Sequence, residues 1–183
     1  MKKRLFFFCD ICGTFDSKIN NNEYLKQVDY FFYQLNILGN KLGAEEIMFS
    51  FVSNDSKDDV FNKVLFIKPF LEKNNIISNI NFFNDGSIVH NNITYSENNF
   101  KAIKILNYLK EMGKDTEFIK IIFADDTYYN HYILEDILKE QDEAFFAEYV
   151  EQIMPNSSYG IVSLNDKLSH IFSSYLINTS CTK

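Results

Sequence analysis

Residues Leu5-Phe6-Phe7-Phe8-Cys9 form an unbroken apolar run that stops at Asp10. A strand with one wet face alternates polar and apolar residues. A run without alternation predicts a strand buried on both faces, as in a parallel sheet covered by helices. The pattern recurs. Ile47 to Val52 predicts a second buried strand ending at Ser53-Asn54-Asp55, and Ile80 to Phe83 a third before the turn Asn84-Asp85-Gly86. Phe118 to Ala124 predicts a fourth, ended by Asp125-Asp126, and Ala144 to Val150 a fifth, with helix as the open alternative.

Between these runs the apolar residues take helical spacing. Tyr24, Val28, Phe31, Leu35 and Leu38 predict a helix stopped by Gly39. Ser56, with Asp59 three residues on, caps a second helix in which Pro69 predicts a kink or restart. Phe100, Ile103, Leu106 and Leu109 place a third from about Asn98 to Met112, closed by Gly113. Ile133, Leu134, Ile137 and Leu138 mark a fourth, and a last helix is expected over about Ser163 to Ile177. Ile88 to His90 and Ile93 to Tyr95, around Asn91-Asn92, suggest a small hairpin. Strands alternating with helices imply right-handed crossovers. The expected fold is an α/β three-layer, Rossmann-like sandwich with a mainly parallel sheet of about five strands. No linker, repeat or low-complexity break interrupts residues 1–183, which are read as a single domain.

Composition removes several function classes. Lys plus Arg is 18 against 25 for Asp plus Glu, a net charge of −7, so the overall field does not attract nucleic acid or anionic lipid. Arg4 is the sole arginine, which leaves little for bidentate phosphate or guanine readout. No apolar run approaches the ~20 residues of a membrane span. Met1-Lys2-Lys3-Arg4 followed by Leu5 to Cys9 imitates a secretory signal, but the run is too short and ends in Asp10 without a cleavage site. Cys9, Cys12 and Cys181 are an odd number, which fits reduced thiols. A cytoplasmic protein is expected.

In an open α/β sheet the functional crevice lies outside the carboxyl ends of the strands. The residues expected there are Asp10 after the first strand, Ser53 after the second, and Asp125 and Asp126 after the fourth. A lone strand-end Asp usually caps the next helix. Three acids at two strand ends instead ask for a cation, and oxygen-only ligands favour a hard ion such as Mg2+. Lys101 falls in the first turn of its helix, where the dipole disfavours a cation by ~0.3–1 kcal/mol and calls for an anion nearby. A solvated surface lysine is the alternative reading of Lys101 taken alone.

These residues carry a resemblance. Phe6-Phe7-Phe8-Cys9-Asp10-Ile11-Cys12-Gly13-Thr14-Phe15-Asp16 resembles the first motif of the haloacid dehalogenase-like (HAD) hydrolase superfamily: an apolar strand, then Asp-x-Asp-Gly-Thr. Ile47 to Ser53 is similar to the second motif, Lys101 with the apolar residues after it to the third, and Ile121 to Thr127, with Asn130 beyond, to the fourth in its double-Asp form. The four stand in family order over roughly residues 5–140. The resemblance implies Asp10 as a nucleophile that accepts a phosphoryl group, with Ser53 and Lys101 holding phosphoryl oxygens. It implies Mg2+ bound by Asp10, Asp125, Asp126 and the backbone carbonyl of Cys12.

One position departs from the pattern. The family's phosphatases carry a second Asp, the general acid and base, where this chain has Cys12. A thiol of pKa near 8.5 replaces it poorly, and proton transfer is commonly worth roughly 10²–10⁴-fold. Asp16 and His131 are the nearby groups that could transfer the proton instead, although His131 reads more simply as a surface residue at a helix start. Family members that enclose small metabolites insert a cap domain, but only about eight residues follow Phe15 before the next helix and about fourteen separate Asn84 from Asn98. Neither gap holds a cap of the usual size, so an open site is expected.

The expected function is a slow or atypical Mg2+-dependent phosphohydrolase acting on a phosphorylated substrate. The alternative is a catalytically inactive binding protein of the same fold, an inhibitor or immunity-type protein masking a basic partner. A redox role for Cys9-x-x-Cys12 is a weaker reading, since Cys9 lies in the strand itself, and a zinc site is weaker still, since no second cysteine pair completes it.

Overall fold

Side chains alternate along a strand, so the first apolar run sends Leu5, Phe7 and Cys9 to one face and Phe6 and Phe8 to the other, and both faces are covered. The computed structural model describes residues 1–78, 81–83, 88–90, 93–95, 100–140 and 144–180, with 88–90, 93–95 and 176–180 given by backbone alone. In chain order the elements are β1 (Lys2–Cys9), α1 (Asn21–Leu42), β2 (Glu46–Phe51), α2 (Lys57–Lys73), β3 (Ile76–Ile77), β4 (Ile88–His90) and β5 (Ile93–Tyr95). There follow α3 (Phe100–Met112), β6 (Thr116–Ala124), α4 (Tyr128–Ile137), α5 (Ala144–Ala147), β7 (Val150–Ile153) and α6 (Ile161–Ser180).

Five strands form one sheet in the order β3-β2-β1-β6-β7, with every pairing parallel, and β4 and β5 pair antiparallel as a separate hairpin. Residues of α1, α2 and α6 cover the face of Leu5 and Phe7, and residues of α3, α4 and α5 cover that of Phe6 and Phe8. This is the expected three-layer α/β sandwich. Phenylalanine supplies much of the packing. Phe15, Phe32, Phe49 and Phe51 meet edge to face at 5.0–5.1 Å, a geometry set by the ring quadrupoles. No helix among the described residues is long and apolar enough to cross a membrane.

Several boundaries differ from the sequence reading. α1 runs through Gly39 and ends at Gly43, whose φ of 74° makes it the left-handed stop. Gly39 serves packing instead, since a Cβ there would come within 2.4 Å of Ile47. α2 continues past Pro69, which lies on its exposed face, where water can take the carbonyl left without a donor. β3, at Ile76–Ile77, pairs with β2 ahead of the expected third strand, whose first residue, Ile80, lies outside the described residues. Asn81 Oδ1 accepts the Phe51 N–H at 3.0 Å, interrupting the ladder, and Phe82 adds a single bridge to Val52. Ala144–Ala147 is a helical turn whose Phe146 packs on Phe118 at 5.5 Å, and the fifth strand starts only at Val150. The last helix begins at Ile161, before the expected Ser163. The turns at Asn84-Asp85-Gly86 and Asn91-Asn92, the helix start at Asn98, and Cys181 lie outside the described residues.

Candidate active site

The chain leaves β1 on one side to build β2 and β3, then returns to the other side of β1 with β6 and β7. That reversal opens a crevice at the carboxyl ends of β1 and β6. Cys9 lies opposite Ala124, so the next residues, Asp10 and Asp125, leave the sheet together. Their backbones are fixed there. Asp10 N–H donates to Ala124 O at 2.9 Å, and Asp125 N–H to Ile153 O at 3.1 Å.

α3 delivers Lys101 between them. Its Nζ donates to Asp10 Oδ1 at 2.7 Å and to Asp125 Oδ2 at 2.6 Å. All three are buried, with Lys101 6% exposed, Asp10 5% and Asp125 0%. Burial raises the Asp10 carboxyl above the usual carboxylate range; Lys101 opposes this and the Asp125 charge reinforces it. Burial alone would lower the Lys101 ammonium, but the two carboxylates outweigh it and the group is raised above 10.5. The misplaced cation of the sequence reading therefore has its anions, and the surface-lysine alternative for Lys101 is excluded.

The double acid divides its labour. Asp125 accepts from Thr127 N–H at 2.9 Å and Asn130 Nδ2 at 3.0 Å on Oδ1, and from Lys101 and Asn130 Nδ2 (2.9 Å) on Oδ2. Those four contacts match the four lone-pair sites of a carboxylate. Asp126 instead lines the cleft, with a Thr127 hydroxyl contact of 3.4 Å. It lies directly over Gly13, where a Cβ would meet Asp126 Oδ2 at 2.2 Å, and Gly13 has a φ of 72°. Glycine is needed there on both counts. One carboxylate oxygen from each of Asp10, Asp125 and Asp126 falls within 4.8 Å of the others, so the three could hold a metal ion. The donors are all oxygen, and one lysine leaves their charge uncompensated, which fits a hard divalent cation.

Asp10 and Asp126 border an open cleft of about 640 Å³, also lined by Cys12, Ser53, Asp55, Lys101, Tyr129 and Asn130. Five of the six sequence-predicted residues, Asp10, Cys12, Ser53, Lys101 and Asp126, thus share one cavity, with Asp125 directly beneath. Ser53 is buried, and its hydroxyl donates to Asp55 Oδ2 at 2.7 Å while accepting the Asp55 N–H at 3.2 Å. The Cys12 thiol faces Asp55 at 3.6 Å, and burial together with that carboxylate pushes it up to about 11. Cys9 is fully buried and raised well above its ordinary value by burial. Both are free thiols, Cys9 buried within the sheet and Cys12 exposed at its edge.

The alternative proton carriers face elsewhere. Asp16 accepts from Tyr24 Oη at 3.1 Å and is paired with Lys63. His131 is buried at 8% exposure, a correction to its reading as a surface residue. Its Nε2 meets the Asp125 carbonyl at 2.7 Å and its Nδ1 the Gln152 side chain at 2.8 Å. A carbonyl only accepts, so Nε2 carries a proton committed to holding the Asp125 backbone. Sequence reasoning assigned Asp55 no role. The available signal was a hydroxyl followed two residues later by Asp, the spacing of a side-chain-closed turn.

No model of a known protein family matches this chain, and no curated protein or solved structure matches it significantly. A functional reading therefore stands on the geometry of this cleft.

Proposed function

We propose that the chain is a Mg2+-dependent phosphohydrolase of the HAD-like type, working through phosphoryl transfer to Asp10. The observation that carries this reading is the Lys101 bridge, 2.7 Å to Asp10 and 2.6 Å to Asp125, at the edge of a cleft bordered by a third carboxylate. A carboxylate nucleophile needs its oxygen fixed and its charge moderated, and Lys101 does both. In the proposed step an Asp10 oxygen attacks phosphorus in line with the ester oxygen, which departs as the P–O bond breaks. Lys101 offsets charge gathered between Asp10 and the phosphoryl oxygens. Asp125 and Asn130 keep the ammonium in place. The Ser53 hydroxyl, donating to Asp55, must turn to reach a phosphoryl oxygen.

Asp10, Asp125, Asp126 and the Cys12 carbonyl would hold the magnesium. The ion supplies neutralisation of the phosphoryl charge when bound. The open cleft suits a large phosphorylated substrate. The rival is a protein that binds without turnover and masks a basic partner, favoured by one observation, the thiol at position 12. Hydrolysis of p-nitrophenyl phosphate separates the two. The expected result is Mg2+-dependent release abolished by Asp10→Asn, with Mg2+ affinity in calorimetry reduced at least about tenfold by Asp126→Ala, which removes a hard anionic ligand. An inert wild type that co-purifies with a basic protein would move the rival to first place.

A further inference from the structure

Position 12 lacks the carboxylate that a phosphohydrolase needs for proton transfer, yet a carboxylate stands beside it. Asp55, in the turn between β2 and α2, brings Oδ2 to 3.6 Å and Oδ1 to 3.8 Å of Cys12 Sγ. Both residues line the cleft that holds Asp10. Asp55 is fixed rather than free on the surface, because the Ser53 hydroxyl and the Asp55 N–H close the turn at 2.7 and 3.2 Å. No ion pair engages it among the described residues, in contrast to Asp16, which is paired with Lys63. His131 spends both ring nitrogens on the Asp125 carbonyl and Gln152. Asp55 is thus the cleft carboxylate left for a proton.

We propose that Asp55 is the proton-transfer group of this site, supplied from the loop after β2 in place of residue 12. The proposal rests on the phosphohydrolase reading above. In the second step a water oxygen bonds to the phosphorus carried by Asp10 and the P–O bond to Asp10 breaks. One water proton passes to Asp55, the other stays on the released phosphate, and Asp10 returns as a carboxylate. In the next turnover Asp55 gives that proton to the departing ester oxygen. A thiol at position 12 then donates to Asp55 and needs no acidity of its own.

Asp55→Asn keeps shape and turn but cannot accept a proton. In the full-length chain with Mg2+, it should reduce steady-state hydrolysis of an alkyl phosphate by at least about 100-fold, within the range of general acid–base catalysis. With p-nitrophenyl phosphate, whose leaving group needs no proton, the first-turnover burst should survive and the steady state should fall. Cys12→Asp added to Asp55→Asn should restore the steady state at least about tenfold. Binding of magnesium fluoroberyllate should stay within about threefold of wild type, a readout that loss of fold would move. Steady-state rates within threefold of wild type in Asp55→Asn overturn the proposal and leave the phosphohydrolase reading standing. So does a burst that falls together with fluoroberyllate binding, which would make Asp55 structural. A wild type that binds fluoroberyllate but turns nothing over also overturns the role of Asp55 alone. A wild type that neither binds it nor releases nitrophenol overturns both.

Discussion

Replacing Lys101 by Met tests the centre of the site independently of any substrate. The side chain is 6% exposed and its ammonium is the shared partner of Asp10 and Asp125. Methionine fills similar volume, so the loss is mainly electrostatic. Removing one partner of a buried ion pair costs about 3–5 kcal/mol, because the charge left behind has neither water nor a counterion. At roughly 2–4 °C per kcal/mol for a chain of this size, the melting temperature should fall by roughly 6–20 °C. Two responses should accompany the fall. Millimolar Mg2+ should recover part of it, since a cation can take over the uncompensated charge. Adding Asp10→Asn should recover at least about 1 kcal/mol, a coupling in the range found for contacting groups. The ammonium is raised above 10.5, so its contribution is complete below that value and lost as pH rises through the higher folded-state value. Lys101→Met should therefore lack this alkaline loss. Thermal and urea unfolding across pH provide the assay. A destabilisation under about 1 kcal/mol, or one additive with Asp10→Asn, would refute the buried bridge.

Gly13→Ala should cost about 1–2 kcal/mol for a left-handed non-glycine residue, and its Cβ would displace the Asp126 carboxylate lying 2.2 Å away. Calorimetry should then show Mg2+ affinity lowered roughly 10–100-fold, as for other changes that reorient a metal ligand; unchanged affinity would remove Asp126 from the site. Glu46 accepts hydrogen bonds from Lys2 and Arg4, which hold its carboxyl below the ordinary 4.5. Its contribution is present above 4.5 and lost as pH falls through the lower folded-state value. Glu46→Gln should lower the melting temperature by no more than about 4 °C at pH 7 and remove that part of the acid dependence, read by melts from pH 3 to 7.

Much of the frame was legible because its cause is local. An apolar run such as Leu5 to Cys9 has no wet face, so it must be covered on both sides, and helices between such runs make the pairing parallel. Parallel strands all end at one edge, which is why Asp10, Ser53, Asp125 and Asp126 could be grouped before any distance was known. Other features depended on the far side of each contact. Gly39 reads as a helix stop until Ile47 is seen against it, and the true stop is four residues later. Ala144 to Val150 has strand composition, but its phenylalanines find Phe118 and the segment turns helical. His131 carries no local sign that its ring would be buried between Asp125 and Gln152.

Apolar periodicity and strand ends are properties of short stretches of chain, and the parallel direction of the sheet and the edge that gathers the acids follow from them. Long-range packing sets which acid is sealed beneath Lys101, which one faces the cleft, and that Asp55 stands against Cys12. Those outcomes join residues 24, 43 and 91 positions apart. They are set by how closely α3 and the turn before α2 pack onto the sheet, and a side chain's partner across such a gap is fixed by packing, which no local pattern encodes.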